Sequence, residues 1–388
     1  MAIPFSYNLR SVLGRPWATL ATAVGIGMVV AILVLALALA NGFQAALVET
    51  GSPSNVIVMR KGADSELSSG VSREGANIIR ALPDVAAGAD GRPLVSPEVL
   101  VLINQERQNG RGTSNVTIRG VDREGLALRD KVRIVAGRDI APGAAEVIVG
   151  KRIAGRFEGF HLGDRVRLSQ RDFTVVGHFT AEGSGFESEV WGDNAVLMPV
   201  LRGDVFQSVT FRMKDPARFA AIKQQLEADP RLGVQLKRES DYYADLAGTL
   251  ATTMRVAGIF IVIIMAVGAI FAAMNTMFAS IGSRSREIAT MLTLGFGPGA
   301  IMLAFLVESI LIAFAGGVIG CLLALPINGT ATSTTNFSTF SEIAFAFQIT
   351  PMILGIGIVF ARGLGVVGGI LPAWKASRQP LAAAMRAM

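Results

Sequence analysis

The stretch SRSREIATMLTLGFGPGA, residues 283–300, lies between two long apolar segments and decides the fold class. Three charges open it, an apolar run follows, and Gly295, Gly297 and Pro298 are residues that end a helix. A short amphipathic helix between two apolar segments is typical of the membrane surface and leaves one face for a soluble partner. The pattern predicts a membrane protein with a docking helix.

Four apolar stretches are each long enough to cross about 30 Å of hydrocarbon, which takes roughly 20 residues. They cover residues 17–40, 253–280, 300–325 and 350–371. Only 17% of the residues are charged and the mean hydropathy is +0.48, whereas soluble domains carry about 25% charged residues. The first stretch exceeds the apolar region of a signal peptide, so we expect it to remain as an anchor.

The charges of the short loops predict the orientation. Basic residues precede the first stretch, follow the fourth and lie between the second and third, whereas residues 326–349 contain no Lys or Arg. The positive-inside rule therefore places both termini and the docking helix in the cytoplasm.

The predicted fold is an α-helical membrane protein with four transmembrane helices plus an α+β extracytoplasmic domain inserted between helices 1 and 2. We divide the chain into residues 1–41 (cytoplasmic N-terminus and helix 1), 42–250 (outer domain, with a β-rich insertion at about 120–205), 251–282 (helix 2), 283–299 (cytoplasmic docking helix), 300–325 (helix 3), 326–349 (outer loop), 350–372 (helix 4) and 373–388 (cytoplasmic tail).

The outer domain contains short β-branched runs and two helical patterns. Helices are predicted over residues 72–82 and 216–228, and each ends in a similar phrase, which suggests a weak two-fold repeat of strand–helix–strand halves. Strands are predicted over residues 55–59, 116–118, 146–149, 173–179, 195–198, 208–213 and 234–236.

Two charges lie inside the predicted spans, Glu308 in the third and Arg362 in the fourth. A charge at the bilayer centre costs roughly 2.5–3.5 kcal/mol on insertion scales, so such residues normally face protein or water. One hypothesis places both in an interhelical or dimer cavity, paired with one another. The alternative is that Glu308 extends to the cytoplasmic surface and Arg362 to a polar neighbour.

Small residues recur at helical spacing in the third and fourth spans. The pairs Gly316/Gly320 and Gly365/Gly369 allow two helices to approach closely in lipid, within one chain or in a dimer.

Several functions are excluded or disfavoured by what the sequence lacks. The nearest phosphate-loop candidate, Gly143 to Arg152, has the wrong spacing and ends in Arg where Ser or Thr is needed. Two histidines and a single cysteine argue against a structural zinc site. The sequence has no catalytic Ser/His/Asp arrangement and no basic–aromatic cluster of the nucleic-acid-binding type.

The order of these features resembles the MacB/FtsX/LolC-type permeases of ABC transporters. Residues 286–288 and 294–295 are similar to the family's coupling helix, and Glu308 with Gly316, Gly317 and Gly320 to its third span. Residues 369–381 resemble its closing pattern. Phrases at residues 120–122, 135–138, 162–164 and 175–177 match its periplasmic module. Arg362 has no counterpart in that pattern.

The resemblance implies a permease without catalytic residues or bound cofactors of its own, in a bacterial inner membrane. The permease would be a dimer of this chain with a second copy of itself or with a paralogue. Two separate ABC ATPase subunits would lie beneath it and bind ATP and Mg. They would drive periplasmic movements that export or extract a lipid, lipoprotein, peptide or amphiphilic compound. The implied ATPase contacts are Arg284, Arg286, Glu287, Thr290, Met291, Leu294 and Gly295.

Three questions stay open at this point. A periplasmic adaptor is an optional further partner, beside the membrane lipids. FtsX-like relatives use the same architecture to regulate a periplasmic cell-wall hydrolase without transporting anything. A membrane-anchored receptor or enzyme is the third reading, against which the docking helix and the missing catalytic residues argue.

Overall fold

A computed structural model describes residues 14–110, 112–169, 171–201, 203–335 and 341–378, together with Tyr7 and Ser11. These residues form two compact units. The membrane unit lies within residues 1–41, 252–330 and 347–388. The globular domain comprises residues 42–251 and 331–346.

Helices and strands are numbered along the described chain. The helices are α1 (Pro16–Val48), α2 (Arg73–Arg80), α3 (Arg123–Ala127), α4 (Lys151–Ala154), α5 (Asn194–Leu201), α6 (Phe219–Glu227), α7 (Glu239–Ser283), α8 (Ser285–Thr293), α9 (Pro298–Ala324) and α10 (Pro351–Ser377). The strands are β1 (Asn55–Arg60), β2 (Val71–Ser72), β3 (Val95–Glu106), β4 (Thr113–Val121), β5 (Arg133–Gly137), β6 (Glu146–Gly150), β7 (Arg165–Leu168), β8 (Arg171–Thr180), β9 (Glu189–Asp193), β10 (Val205–Phe206), β11 (Ser208–Arg212), β12 (Val234–Arg238), β13 (Ala331–Thr335) and β14 (Glu342–Ala346).

Within the described residues, four helices, α1, α7, α9 and α10, are long and apolar enough to cross a membrane. Each corresponds to one of the four apolar stretches predicted from the sequence. Their shared core contains Val30 and Val34 of α1, Ala313 and Cys321 of α9, and Ala361 of α10. The apolar 18-residue segment of α7 is only 17% buried within the chain, the smallest fraction among the four helices.

Glycines allow α9 to approach both of its neighbours. A Cβ atom added to Gly316 would lie 2.6 Å from the carbonyl oxygen of Ala23 in α1, and one added to Gly320 would collide with the backbone of Gly27. On the other side, a Cβ atom added to Gly365 of α10 would lie 2.6 Å from the Cβ atom of Ala313. A Cβ atom added to Gly369 would lie equally close to Ser309. The helix axes could not come this close with larger residues at these positions.

The globular domain is built on a sheet of order β12-β1-β11-β3-β4-β9-β6-β8-β5, with β7 paired to β8. Adjacent strands among its first four are antiparallel, and α2 and α6 pack on them through Ile79, Ile222 and Leu226. The two helices therefore belong to two strand–helix–strand halves, as the repeated sequence pattern suggests. A second core surrounds Phe157, Phe160 and Phe173.

The secondary-structure prediction was wrong at one strand and incomplete elsewhere. Residues 195–198, predicted as a strand, lie inside α5, where the Asp193 carboxylate accepts a hydrogen bond from the backbone N–H of Ala195 at 2.8 Å. The long strand β3 was not predicted. The loop predicted over residues 326–349 contains the hairpin β13–β14, which belongs to the globular domain.

Candidate functional site

The docking helix predicted within residues 283–299 is the nine-residue helix α8. Gly295, with a φ of 90°, follows it in the left-handed region that glycine adopts without strain. Ile288 and Ala289 are buried, and Ile288 packs with Ile281 of α7, Phe305 of α9 and Ala376 of α10. The apolar side of the amphipathic pattern thus holds α8 against the spans.

The opposite side of α8 is open. Arg286, Glu287, Thr290, Leu294 and Gly295 are exposed, and the Leu294 side chain is 68% exposed. Met291 is half-buried. This side of α8 is therefore accessible, with one exposed leucine between charged and polar neighbours.

Arg284 is the exception among the seven predicted docking residues, because it is only 6% exposed. Its Nη1 atom lies 3.0 Å from Oε2 of Glu308 in α9, and its Nε atom lies 3.0 Å from Oε2 of Glu287 in α8. It also donates hydrogen bonds of 2.5 Å to Ser11 Oγ and Tyr7 Oη. Arg284 therefore joins α8 to the third span. We call these five residues the anchor cluster.

The anchor cluster is closed by hydrogen bonds between its other members. Ser11 Oγ donates to Glu308 Oε1 at 2.9 Å, and Tyr7 Oη donates to Glu287 Oε2 at 3.0 Å. The Arg284 guanidinium also lies over the rings of Tyr7 and Phe305. Each charge in the cluster has an opposite charge and a hydroxyl beside it, which offsets the cost of its burial.

The electrostatics favour the ionised forms of Arg284 and Glu287. Burial lowers the pKa of Arg284, but its hydrogen bond with Glu287 and the charge of Glu308 outweigh burial, so the pKa is raised overall. Burial raises the pKa of the Glu287 carboxyl, and the hydrogen bonds from Arg284 and Tyr7 outweigh it, so that pKa is lowered. Both groups are therefore ionised at neutral pH.

The two intramembrane charges do not pair with one another. Glu308 is 5% exposed and faces the interior of the helix bundle, where it binds Arg284. It therefore neither extends to the surface nor binds Arg362. Arg362 is exposed on α10, with its guanidinium 5.0 Å from the centre of the Phe314 ring. The hypothesis of a Glu308–Arg362 pair is therefore wrong. The cation that Glu308 requires is Arg284, 24 residues earlier in the chain.

A second buried charge cluster, which the sequence analysis missed, lies in the globular domain. Arg119, 1% exposed, binds the carboxylates of Glu66, Glu98 and Glu189 at 3.0, 2.6 and 2.7 Å. Arg129 binds Glu98 from the other side at 2.7 Å. We call these five residues the domain cluster.

The described residues contain no group of three or more His, Cys, Asp and Glu that could hold a metal ion. The segment rejected as a phosphate loop ends in Arg152, which binds Glu187 at 3.2 Å in the globular domain. The Arg152–Glu187 pair is a contact that stabilises the fold of the globular domain.

Comparison with known families agrees with this architecture. Residues 19–229 match the MacB-like periplasmic core domain, and residues 259–381 match the FtsX-like permease C-terminal domain. The chain belongs to the MacB/FtsX-type permeases of ABC transporters. It is therefore a multi-pass inner-membrane protein, and the globular domain is the family's periplasmic module.

Similar curated proteins are named as exporters. The chain is 27% identical over 95% of its length to the macrolide export ATP-binding/permease protein MacB of Azoarcus sp.. It is 23% identical over 96% of its length to the protein of that name from Neisseria meningitidis, and 29% identical over 62% of its length to the pyoverdine export ATP-binding/permease protein PvdT of Pseudomonas entomophila. The chain spans 57%, 59% and 38% of these relatives' own lengths.

A solved structure, the periplasmic region of MacB from Actinobacillus actinomycetemcomitans, is a more distant match. It shares 12% identity with this chain and covers 53% of it, over 94% of its own length, with a TM-score of 0.38.

Proposed function

We propose that this permease transmits the movement of an ABC ATPase, which lies outside these 388 residues, to its periplasmic domain. The ATPase binds ATP and Mg, and two copies of it dock beneath two permease chains. They dock on the cytoplasmic side of the membrane, where both termini of the permease also lie. The docking surface is the exposed face of α8, formed by Arg286, Glu287, Thr290, Met291, Leu294 and Gly295.

The anchor cluster is the observation that supports transmission. A helix that merely lies on a membrane needs only its apolar face, whereas α8 is also joined to α9 through the buried Arg284–Glu308 pair. A displacement of α8 pulls on that pair, and α9 follows because breaking a buried ion pair is costly. We assign Arg284 this internal role instead of a contact with the ATPase.

The cargo we propose is an amphiphilic compound, lipid, lipoprotein or peptide that is exported or extracted. The relatives' names, which include macrolide and pyoverdine export, support a small exported molecule. A hydrolase regulator would dock an ATPase in the same way, so the test must include transport as well as binding.

Docking is tested by purifying the tagged permease with its cognate ABC ATPase in detergent, in the presence of an ATP analogue that traps the closed ATPase dimer. Leu294→Asp places a charge in the centre of the proposed contact and should reduce the recovered ATPase at least tenfold. The matched control Leu162→Asp changes an exposed leucine of the globular domain (45% exposed) and should leave recovery unchanged.

Two results would count against the proposal. Equal recovery with both variants would show that α8 is not the docking surface. Normal docking without ATP-dependent export of any amphiphile from proteoliposomes would favour the regulator.

A further inference from the structure

Arg362 of α10 is a charge that the proposed docking of α8 does not use. It is exposed, and its guanidinium lies 5.0 Å from the centre of the Phe314 ring in α9. No carboxylate of the described residues forms an ion pair with it. Glu308 and Arg284, by contrast, neutralise one another. Arg362 is therefore an uncompensated charge on the surface of the membrane unit.

The depth of Arg362 in its span limits what can compensate it. The helical rise places it about 18 Å from residue 350 and about 14 Å from residue 371, the two ends of the apolar stretch. Arginines that extend to lipid head groups lie near helix ends, whereas a charge in the middle of a span normally pairs with an opposite charge or faces water. Arg362 therefore requires an anion at its own depth, which a lipid head group does not provide.

A second copy of this chain has no free anion at that depth. Glu308 is the one acidic residue in the four apolar stretches. It is 5% exposed and bound to Arg284, so releasing it would break the anchor cluster. The anion that pairs with Arg362 must belong to a different molecule.

The helix face around Arg362 favours the approach of another helix. Val359, 68% exposed, lies on it, together with Gly355 and Gly363. A Cβ atom added to either glycine would meet nothing within 4 Å, whereas one added to Gly365 would collide with α9. Small residues on an open face let the backbone of a second helix come close in lipid. A carboxylate on that helix could then accept paired hydrogen bonds from the guanidinium.

We propose that α10 packs, through this face, against a transmembrane helix of a different chain that carries an Asp or Glu at mid-membrane depth. The carboxylate pairs with Arg362, and the two open glycines allow the close approach. The pair selects the partner, because a helix without the acid would leave Arg362 uncompensated. This goes beyond the docking of α8, which needs only a second permease chain of either kind. If the bound chain is that second permease, the dimer is a heterodimer.

The test is photo-cross-linking in membranes of the cells that naturally produce this chain. Cys321 is the only cysteine, so the variant Cys321→Ser/Val359→Cys carries one thiol, near Arg362, for a maleimide–benzophenone probe. We expect an adduct with one other chain, which mass spectrometry identifies and whose sequence has an Asp or Glu in the middle of an apolar span. The matched control Ile264→Cys, on α7 and 58% exposed, should not give that adduct.

Charge exchange separates a specific pair from mere proximity. Adding Arg362→Leu should reduce the adduct at least tenfold, and Arg362→Lys should retain most of it. Arg362→Glu should lose the adduct and regain it when the partner's carboxylate is replaced by Arg.

Several results would overturn the proposal. These are an adduct of twice the chain's own mass, an adduct with lipid alone, a captured chain without a mid-span acid, and a yield that Arg362→Leu leaves unchanged. None of these results depends on whether α8 docks an ATPase.

Discussion

The domain cluster and the anchor cluster each surround a buried arginine with carboxylates, but the consequences differ. Arg119 is surrounded by three carboxylates that all lie inside the globular domain, so its charge contributes only to the stability of one fold. Arg284 is buried almost as deeply, but one of its carboxylates, Glu287, is 58% exposed on α8 and the other is buried in α9. The difference shows that a buried ion pair can join a surface to an interior.

The largest effect is expected in the domain cluster. Arg119→Met leaves the buried Glu66 and the largely buried Glu189 without a cation and should lower the free energy of unfolding by about 3–5 kcal/mol. Unfolding of the full chain by urea, followed through the fluorescence of the buried Trp191, measures it. The control Arg138→Gln breaks an exposed pair with Glu146 and should barely shift the midpoint. Similar shifts for both variants would contradict the role given to Arg119.

A smaller loss of stability is expected in the anchor cluster. Glu308→Gln leaves Arg284 with Glu287 as its remaining carboxylate and should cost about 2–3 kcal/mol. The double variant Arg284→Met/Glu308→Leu removes both charges and should recover most of that loss. Thermal unfolding in detergent measures Glu308→Gln, the double variant and its two component single variants, Arg284→Met and Glu308→Leu. Additive effects of the two changes would mean that the pair is not energetically coupled.

The smallest effect concerns a carboxyl at the edge of the globular domain. Burial raises the pKa of Asp122 from 3.8 to about 6, and Arg80 offsets this only in part. Because the folded pKa lies above the unfolded one, this carboxyl's contribution to stability is complete below about pH 4 and is lost as the pH rises through 6. Between pH 7.5 and 5 the wild type should gain about 1 kcal/mol relative to Asp122→Asn.

The pH effect is measured by urea titrations of the full chain at the two pH values. The control Asp130→Asn changes an aspartate whose side chain is 73% exposed and should keep the wild-type pH dependence. If Asp122→Asn kept the pH dependence of the wild type, a group other than Asp122 would be responsible for it.

The spans and α8 could be predicted from the sequence because their signals are local. Hydropathy over about 20 residues identifies a membrane helix whatever it packs against, and the charges and glycines around residues 283–300 mark a helix and its end. The strand predicted at residues 195–198 was wrong because a short apolar run fits either a strand or a helix. The Asp193 carboxylate, which caps α5, decides between them.

The partners of buried charges could not be predicted, because they are set by tertiary packing. Glu308 was predicted either to pair with Arg362 or to extend to the cytoplasmic surface, and Arg284 was assigned to the docking surface together with its neighbours in the predicted docking helix. Only the packing of α8 against α9 turns Arg284 inward and leaves Arg362 on the open face of α10 beside Phe314. The domain cluster has no sequence signal, since Glu66 and Arg119 are 53 residues apart.

The most direct test of transmission through the anchor cluster compares ATP hydrolysis and transport in proteoliposomes that contain the permease and its cognate ATPase. Glu308→Gln should still bind the ATPase and hydrolyse ATP, but transport per ATP should fall at least tenfold, whereas Leu294→Asp should lose ATPase binding itself. If Glu308→Gln transported as much cargo per ATP as the wild type, the Arg284–Glu308 pair would not carry the movement of α8 into the membrane.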